Sequence, residues 1–202
     1  NCQKIDAILF THEHADHTAG IDDIRPFFFK QGDIPVFGSK RVLNNLSQRF
    51  DYIFSKENKY PGAPSVLVNK VEAPFDFMNK VVVPINVMHN QIPVLGYRID
   101  DFAYLTDVKT IKPSEIEKLK GLDLLVLSAL QIKTHPNHLN LDEALNLIQK
   151  IAPKIAPKNC YKKLLKKLIQ KLLKLLQKIA MKNCYEKCYE KLLQKIATKN
   201  CF

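Results

Sequence analysis

Thr11-His12-Glu13-His14-Ala15-Asp16-His17 follows directly on an apolar run, Ile5-Asp6-Ala7-Ile8-Leu9-Phe10, that reads as a buried strand. The pattern His-x-His-x-Asp-His sets four potential metal ligands within one short loop. In extended chain, residues i and i+2 project to the same side, so His12 and His14 can grip one cation together. Once the chain turns, Asp16 and His17 are free to face a second cation beside the first. Imidazole and carboxylate are the ligands that Zn²⁺, Mn²⁺ or Fe²⁺ accept at hydrolytic sites. The competing reading is a polar loop that happens to be rich in His. Three His and one Asp at this spacing, straight after a strand, weigh against it.

Two further strand ends extend the pattern. His89 terminates the apolar run Val81-Val82-Val83-Pro84-Ile85-Asn86-Val87-Met88. A lone His is more often structural, but at the end of a core strand, with the loop motif present, His89 is read as the third ligand of the first metal. Asp107 closes Phe102-Ala103-Tyr104-Leu105-Thr106 in the same way. A carboxylate there can bridge two cations about 3.5–4 Å apart, or simply cap a turn.

The intervening chain reads as alternating elements. Ala19 to Arg25 predicts a short helix stopped by Pro26, and Phe27-Phe28-Phe29 is assigned to the core, with a pocket wall as the alternative. Ile34–Gly38 predicts a parallel strand, and Ser39 an N-cap for a helix over 40–50. Residues 51–64 read as a long loop, either a flap over a pocket or a surface linker. Strands are expected over 65–71, 80–87, 94–99, 102–106 and 122–128, with Pro84 marking a bulge or an edge. Helices are expected over 113–120, stopped by Gly121, and over 141–151, capped by Asn140 with Glu143 completing a capping box.

The net charge of +11 is unevenly placed. Residues 1–150 hold 17 Lys+Arg and 18 Asp+Glu, a net of −1, whereas residues 151–202 hold 14 Lys and 2 Glu, a net of +12. The basicity therefore belongs to the last quarter, and overall pI is no argument for nucleic-acid binding by the His-rich part. In that quarter Gln-Lys-Ile-Ala recurs at 149, 177 and 194, and Lys-Asn-Cys at 158, 182 and 199. Leu165, Leu168, Ile169, Leu172, Leu176 and Ile179 follow helical spacing opposite a Lys face. A helix through residues 161–176 and a second over 186–197 would make a hairpin. Such a basic amphipathic segment can touch an anionic membrane surface, acidic partners or phosphate backbones. The favoured alternative is low-complexity sequence folding onto itself or onto the neighbouring sheet. Cys2, Cys160, Cys184, Cys188 and Cys201 suggest reduced thiols rather than a disulfide framework. No signal peptide or membrane-length apolar run is visible, and a cytoplasmic location is expected.

Strand, then Thr-His-x-His-x-Asp-His, then helix resembles the signature of the metallo-β-lactamase superfamily. Tyr104-Leu105-Thr106-Asp107 is similar to its bridging-Asp motif, particularly in the cyclic-phosphodiesterase branch. The resemblance covers about residues 4–152. It implies an α/β fold, a partial αββα sandwich over residues 1–157, with residues 158–202 as a basic helical appendage. It further implies that Zn²⁺ or Mn²⁺ is held by His12, His14 and His89, and a second ion by Asp16, His17 and Asp107. A metal-activated water would then attack a small cyclic or ribose-phosphate diester. In such relatives a His on the loop before the last helix faces the scissile phosphate. His138, in Thr134-His135-Pro136-Asn137-His138-Leu139-Asn140, matches by position and would protonate the leaving oxygen. Asp16 joins it as a catalytic candidate, and His135 is expected to be solvent-exposed.

The family pattern is incomplete in two places. Only four residues precede the first strand, so one sheet should be short of strands, with an exposed edge. A His after the last helix, which would close the second metal site, is absent; the chain there reads Ile151-Ala152-Pro153-Lys154-Ile155-Ala156-Pro157-Lys158-Asn159-Cys160. Water or Cys160 could fill the gap. Two alternatives follow: a tRNA 3′-processing type of endonuclease, with the basic tail serving in place of an RNA-binding arm, and an inactive remnant that only binds metal.

Overall fold

Ile34-Pro35-Val36-Phe37-Gly38 forms the central strand, β2 (Ile34–Gly38), of a parallel three-stranded sheet between β1 (Ile8–Leu9) and β3 (Val66–Lys70). The computed structural model describes residues 3–151 apart from 56 and 58. The helices expected within 161–197, and Cys160, lie outside the described residues. Strand alternation sends Ile34 and Val36 to one face of the sheet, where they are fully buried. There they meet Val42, Leu43 and Leu46 of α3 (Lys40–Arg49) and Ile53 of α4 (Asp51–Phe54). Ser39 caps α3 as expected, its Oγ accepting from the Val42 amide at 3.4 Å. The expected 51–64 loop begins with α4, so its irregular part is shorter.

The second sheet has six strands: β4 (Phe75–Phe77), β5 (Lys80–His89), β6 (Ile92–Ile99), β7 (Phe102–Leu105) and β9 (Leu124–Leu127) in that order, with β8 (Thr110–Ile111) paired to β5. Neighbours along the path are antiparallel except β7 and β9, which run parallel. α5 (Pro113–Glu117) and α6 (Leu141–Ile151) accompany its outer face, where Ile85, Val87, Leu105, Leu119 and Leu147 form one core. Asn140 and Glu143 cap α6 reciprocally, each accepting the other's backbone N–H at 2.8 and 2.9 Å. The two sheets meet through Phe37, Val82, Leu95 and Tyr97, with Phe37 stacked on Phe75 at 4.7 Å. Helices, sheet, sheet, helices make an αββα sandwich.

Backbone chemistry accounts for the departures from expectation. Pro26 does not stop a helix. It lies in the first turn of α2 (Arg25–Gln31), where no intrahelical N–H is needed, after α1 (Ala15–Thr18) and a 3-10 helix over Ala19–Ile24. The three phenylalanines therefore ride on a helix at about 100° per residue; Phe27 packs on the core, while Phe29 is 64% exposed. Pro84 is neither in a bulge nor on an outer strand. Beyond β6, the other side of β5 pairs with β4 over Lys80–Val82 and with β8 over Val87–Met88, and Pro84 stands in the gap. Two residues on, the Asn86 N–H donates to the Glu115 carboxylate at 2.8 Å, so a residue with an N–H at 84 would have needed a partner of its own.

Sheet contacts also fix where β1 ends. Tyr97 Oη donates to the Phe10 carbonyl at 2.8 Å and the Leu95 amide to the Thr11 carbonyl at 2.9 Å. The end of β1 thus lies over β6. The shorter first sheet leaves part of the second uncovered: Phe102, Tyr104, Leu124 and Val126 of β7 and β9 stay exposed. Tyr104 lies opposite Tyr97 in register, on the side of the sheet that β1 covers.

Gly96 of β6 marks a close approach: a Cβ there would lie 2.1 Å from Leu105 Cδ2 and 2.9 Å from the Tyr104 carbonyl oxygen. Gly96→Ala is expected to lower stability by about 1–3 kcal/mol through overpacking. A urea midpoint unchanged from the parent would contradict this packing.

Candidate metal centre

Three strand ends deliver candidate ligands. β1 runs into Thr11–His17, β5 ends on His89, and β7 is followed by Thr106 and Asp107. His12 is fully buried; Thr11 Oγ1 lies 3.1 Å from its Nδ1, and its Nε2 is 3.0 Å from His14 Nδ1. Helix α3 braces this loop from outside. Arg49 donates to the Glu13 carbonyl at 2.9 Å and to Thr18 Oγ1 at 3.1 Å, and Thr18 Oγ1 donates to the His14 carbonyl at 2.9 Å. Arg41 pairs with the Glu13 carboxylate. The Glu13 and His14 carbonyls are therefore held by side chains, which fixes the backbone that aims His14.

Asp107 is the hub. Its Oδ2 lies 3.4 Å from both His12 Nε2 and His17 Nε2, and its Oδ1 is 3.9 Å from His138 Nδ1. Its backbone is left-handed, with φ +52°, a conformation that Asp tolerates better than most residues. The Ser128 hydroxyl at the end of β9 accepts the Asp107 N–H at 3.0 Å, and Thr106 Oγ1 donates to its Oδ1 at 3.1 Å. Burial opposes ionisation, but the Thr106 hydrogen bond and the imidazoles of His17, His12 and His138 outweigh it. The carboxyl is held below its ordinary pKa.

His138 comes from the loop before α6. Its ring lies 4.4 Å from that of His89, which in turn is 5.3 Å from His14 and 6.1 Å from His12. The backbone around it is tied to the site. His89 Nδ1 is 2.8 Å from the Asn137 carbonyl, and His135 Nδ1 accepts the Asn137 and His138 amides, both at 3.2 Å. His135, expected to be solvent-exposed, is therefore half-buried and bonded. Lys109 bonds the Glu143 carboxylate at 2.9 Å and the His138 carbonyl at 3.4 Å.

The structure thus gathers His12, His14, His17, His89, Asp107 and His138. Two sets have ligand atoms within 4.8 Å of one another: His12, His14 and Asp107, and His89, Asp107 and His138. Asp16 belongs to neither. Its side chain is 80% exposed and, among the described residues, pairs with His17 Nε2 at 3.3 Å. All six histidines of the chain lie in or beside this cluster. Sequence reasoning missed the supports Ser128, Arg49, Lys109 and His135; of these only His135 carried a signal, its place next to Pro136 and three residues before His138.

The donor set fits a divalent cation. Burial, with His17 and His14 as neighbours, lowers the pKa of His12 to about 4, so its ring is neutral with a lone pair to offer. His89 with Nδ1 directed at a carbonyl keeps Nε2 for a metal, the usual outer support of a ligating imidazole. His12, His14 and Asp107 form one set that could hold it and His89, Asp107 and His138 the other, so His89, expected as the third partner of His12 and His14, is grouped with His138 instead.

Comparison with known proteins agrees with this geometry. A family model described as "Beta-lactamase superfamily domain" matches residues 1–157. The chain belongs to this superfamily, in its metallo-β-lactamase form. Among solved structures, a diphosphatase from the PhnP family is 34% identical, with a TM-score of 0.66 over 74% of this chain and 57% of that one. The metallo-β-lactamase fold protein YhfI from Bacillus subtilis is 17% identical, with a TM-score of 0.57 over 79% of this chain and 69% of that one. Unliganded yeast PDE1 is 15% identical, with a TM-score of 0.54 over 73% of this chain and 52% of that one. The last two show likeness of fold alone. An octanoyltransferase of Porphyromonas gingivalis is 39% identical over 151 residues, 73% of this chain. The chain spans 30% of that protein's length and just over half of the diphosphatase's. Among the described residues, no helix is long and apolar enough to cross a membrane.

The buried imidazole has a consequence for stability. The His12 pKa falls from 6.5 to about 4 on folding, so between these values the unfolded chain takes up a proton that the folded chain refuses. Burial lowers the His138 pKa as well, against the opposing charge of Asp107. The metal-free protein should therefore lose stability as pH drops from about 6.5 toward about 4. The low pKa of Asp107 adds a further loss at the acid end. Thermal unfolding of the chelator-treated protein across this range tests this; a flat midpoint would contradict a neutral, buried His12.

Proposed function

We propose that this chain is a metal-dependent phosphodiesterase acting on a small cyclic or ribose-phosphate diester. The observation that carries the reading is the convergence of five imidazoles on the single carboxylate of Asp107, at the ends of three strands. The likeness to a PhnP-family diphosphatase, at 34% identity, supports phosphate chemistry in particular. The octanoyltransferase name belongs to a protein more than three times as long as the matched stretch, and acyl transfer is not carried over.

His12, His14 and His89 hold the first cation in this reading, and Asp16, His17 and Asp107 the second. Asp16 enters this reading from the sequence motif; its exposed carboxylate lies 3.3 Å from His17 Nε2. Bound Zn²⁺ or Mn²⁺ supplies Lewis acidity toward the phosphoryl oxygens and lowers the pKa of water. The chain's own residues do the rest. Asp107 stays ionised, and its Oδ1 faces His138 Nδ1 at 3.9 Å. With Nδ1 on the carboxylate side, His138 Nε2 is the atom that delivers a proton to the leaving alkoxide.

Hydrolysis of a chromogenic phosphodiester by the Zn²⁺- or Mn²⁺-loaded full chain tests this reading. His138→Ala should lower kcat by about 10²–10⁴-fold, and His14→Ala should abolish turnover together with tight metal binding. A cyclic ribose phosphate should be cleaved in preference to pre-tRNA, with or without residues 159–202. Metal binding without hydrolysis of any diester would identify an inactive remnant, and preferential cleavage of pre-tRNA an RNA-processing enzyme.

A further inference from the structure

We propose that His135 is a positioning residue for His138. Its Nδ1 accepts the amide N–H groups of Asn137 and His138 and so sets the His138 imidazole against Asp107 and His89. The inference rests on the hydrolase reading for its kinetic arm only.

Asn137 and His138 lie in no helix or strand, yet all their backbone polar groups have side-chain partners. The two N–H groups go to His135 Nδ1, each at 3.2 Å. The Asn137 carbonyl meets His89 Nδ1 at 2.8 Å, and the His138 carbonyl accepts from Lys109 at 3.4 Å. Backbone groups that lack a ladder need such partners when partly buried, and here one imidazole supplies two of the four. An acceptor for two donors carries no hydrogen, so Nδ1 of His135 is the bare nitrogen of the ring. Pro136 completes the arrangement: it has no N–H to compete for Nδ1, and its ring fixes φ at the first step of the turn. The Leu139 amide then donates to the Val108 carbonyl at 2.8 Å, next to Asp107. Loop and hub are thereby in register.

The geometry also selects a replacement. A side-chain acceptor that takes the N–H groups of residues two and three positions on is the arrangement Asn and Asp form in turns. Asn Oδ1 stands three bonds from Cα, as His Nδ1 does. Asn can therefore take over the backbone role of His135, and Ala cannot.

Two variants of the full chain, His135→Ala and His135→Asn, test the proposal. Amide exchange at Asn137 and His138, followed by NMR with Zn²⁺ added and with chelator, should be about five- to tenfold faster in the Ala variant, the loss expected for one or two ordinary hydrogen bonds. The Asn variant should stay within about twofold of the parent on the same grounds. On the chromogenic phosphodiester, kcat should fall about tenfold in the Ala variant, with KM and metal per chain unchanged, and recover in the Asn variant. Parent-like exchange in the Ala variant, or equally fast exchange in both, overturns the proposal. So does faster exchange in the Ala variant with kcat unaltered. If the parent itself hydrolyses nothing, the functional reading fails, while the exchange measurements still decide whether His135 holds the loop.

Discussion

Everything at the candidate centre depends on one carboxylate facing several imidazoles. Asp107 lies within 3.4 Å of two ring nitrogens and 3.9 Å of a third. Without that negative charge, the closely set His12, His14 and His17 rings would have no compensating partner. Without the rings, a partly buried carboxylate would drift toward protonation. Each side makes the other's burial tolerable; Ser128 holds the left-handed backbone at Asp107, and Thr106 holds its carboxylate. Strain at such a residue persists only where its surroundings over-determine it.

The sandwich exists, from the site's standpoint, to bring three strand ends together. β1 belongs to one sheet, β5 and β7 to the other, and the Tyr97–Phe10 and Leu95–Thr11 hydrogen bonds join them beside the metal loop. Phe37 stacked on Phe75 holds the same interface farther along. The outer layer adds to this: α3 braces the metal loop through Arg49 and Arg41, and the turn into α6 presents His138. The fourth contribution, from the His135–Asn140 loop, is side-chain chemistry standing in for secondary structure.

How much of this was legible depended on how local the determining contacts were. His12, His14 and His17 are close in sequence, and their spacing alone suggests a shared cation. His89 and Asp107 were legible because a polar residue that ends an apolar strand is conspicuous. The caps of α3 and α6 were legible for the same local reason. The β4–β5 hairpin was not: its turn residues, Met78 and Asn79, have φ of +50° and +60°, yet they are not the Asn-Gly pair that announces such a turn. Pro26 begins a helix or ends one according to what precedes it, and the 3-10 turn before it leaves no periodic signal. Arg49 and Lys109 act across the fold, on groups far away in sequence, so nothing near them hints at their targets. Asp16 illustrates the converse: the motif singles it out, but its side chain points to solvent beside His17.

The cluster around Asp107 is a candidate site for a transition metal. Titration of Co²⁺ into the chelator-treated full chain, followed by its visible ligand-field absorption, tests that claim most directly. Saturable binding of at least one ion per chain is expected, with absorption typical of mixed imidazole and carboxylate ligation, and marked weakening in Asp107→Ala. Absence of binding, or binding indifferent to both Asp107→Ala and His12→Ala, would contradict it.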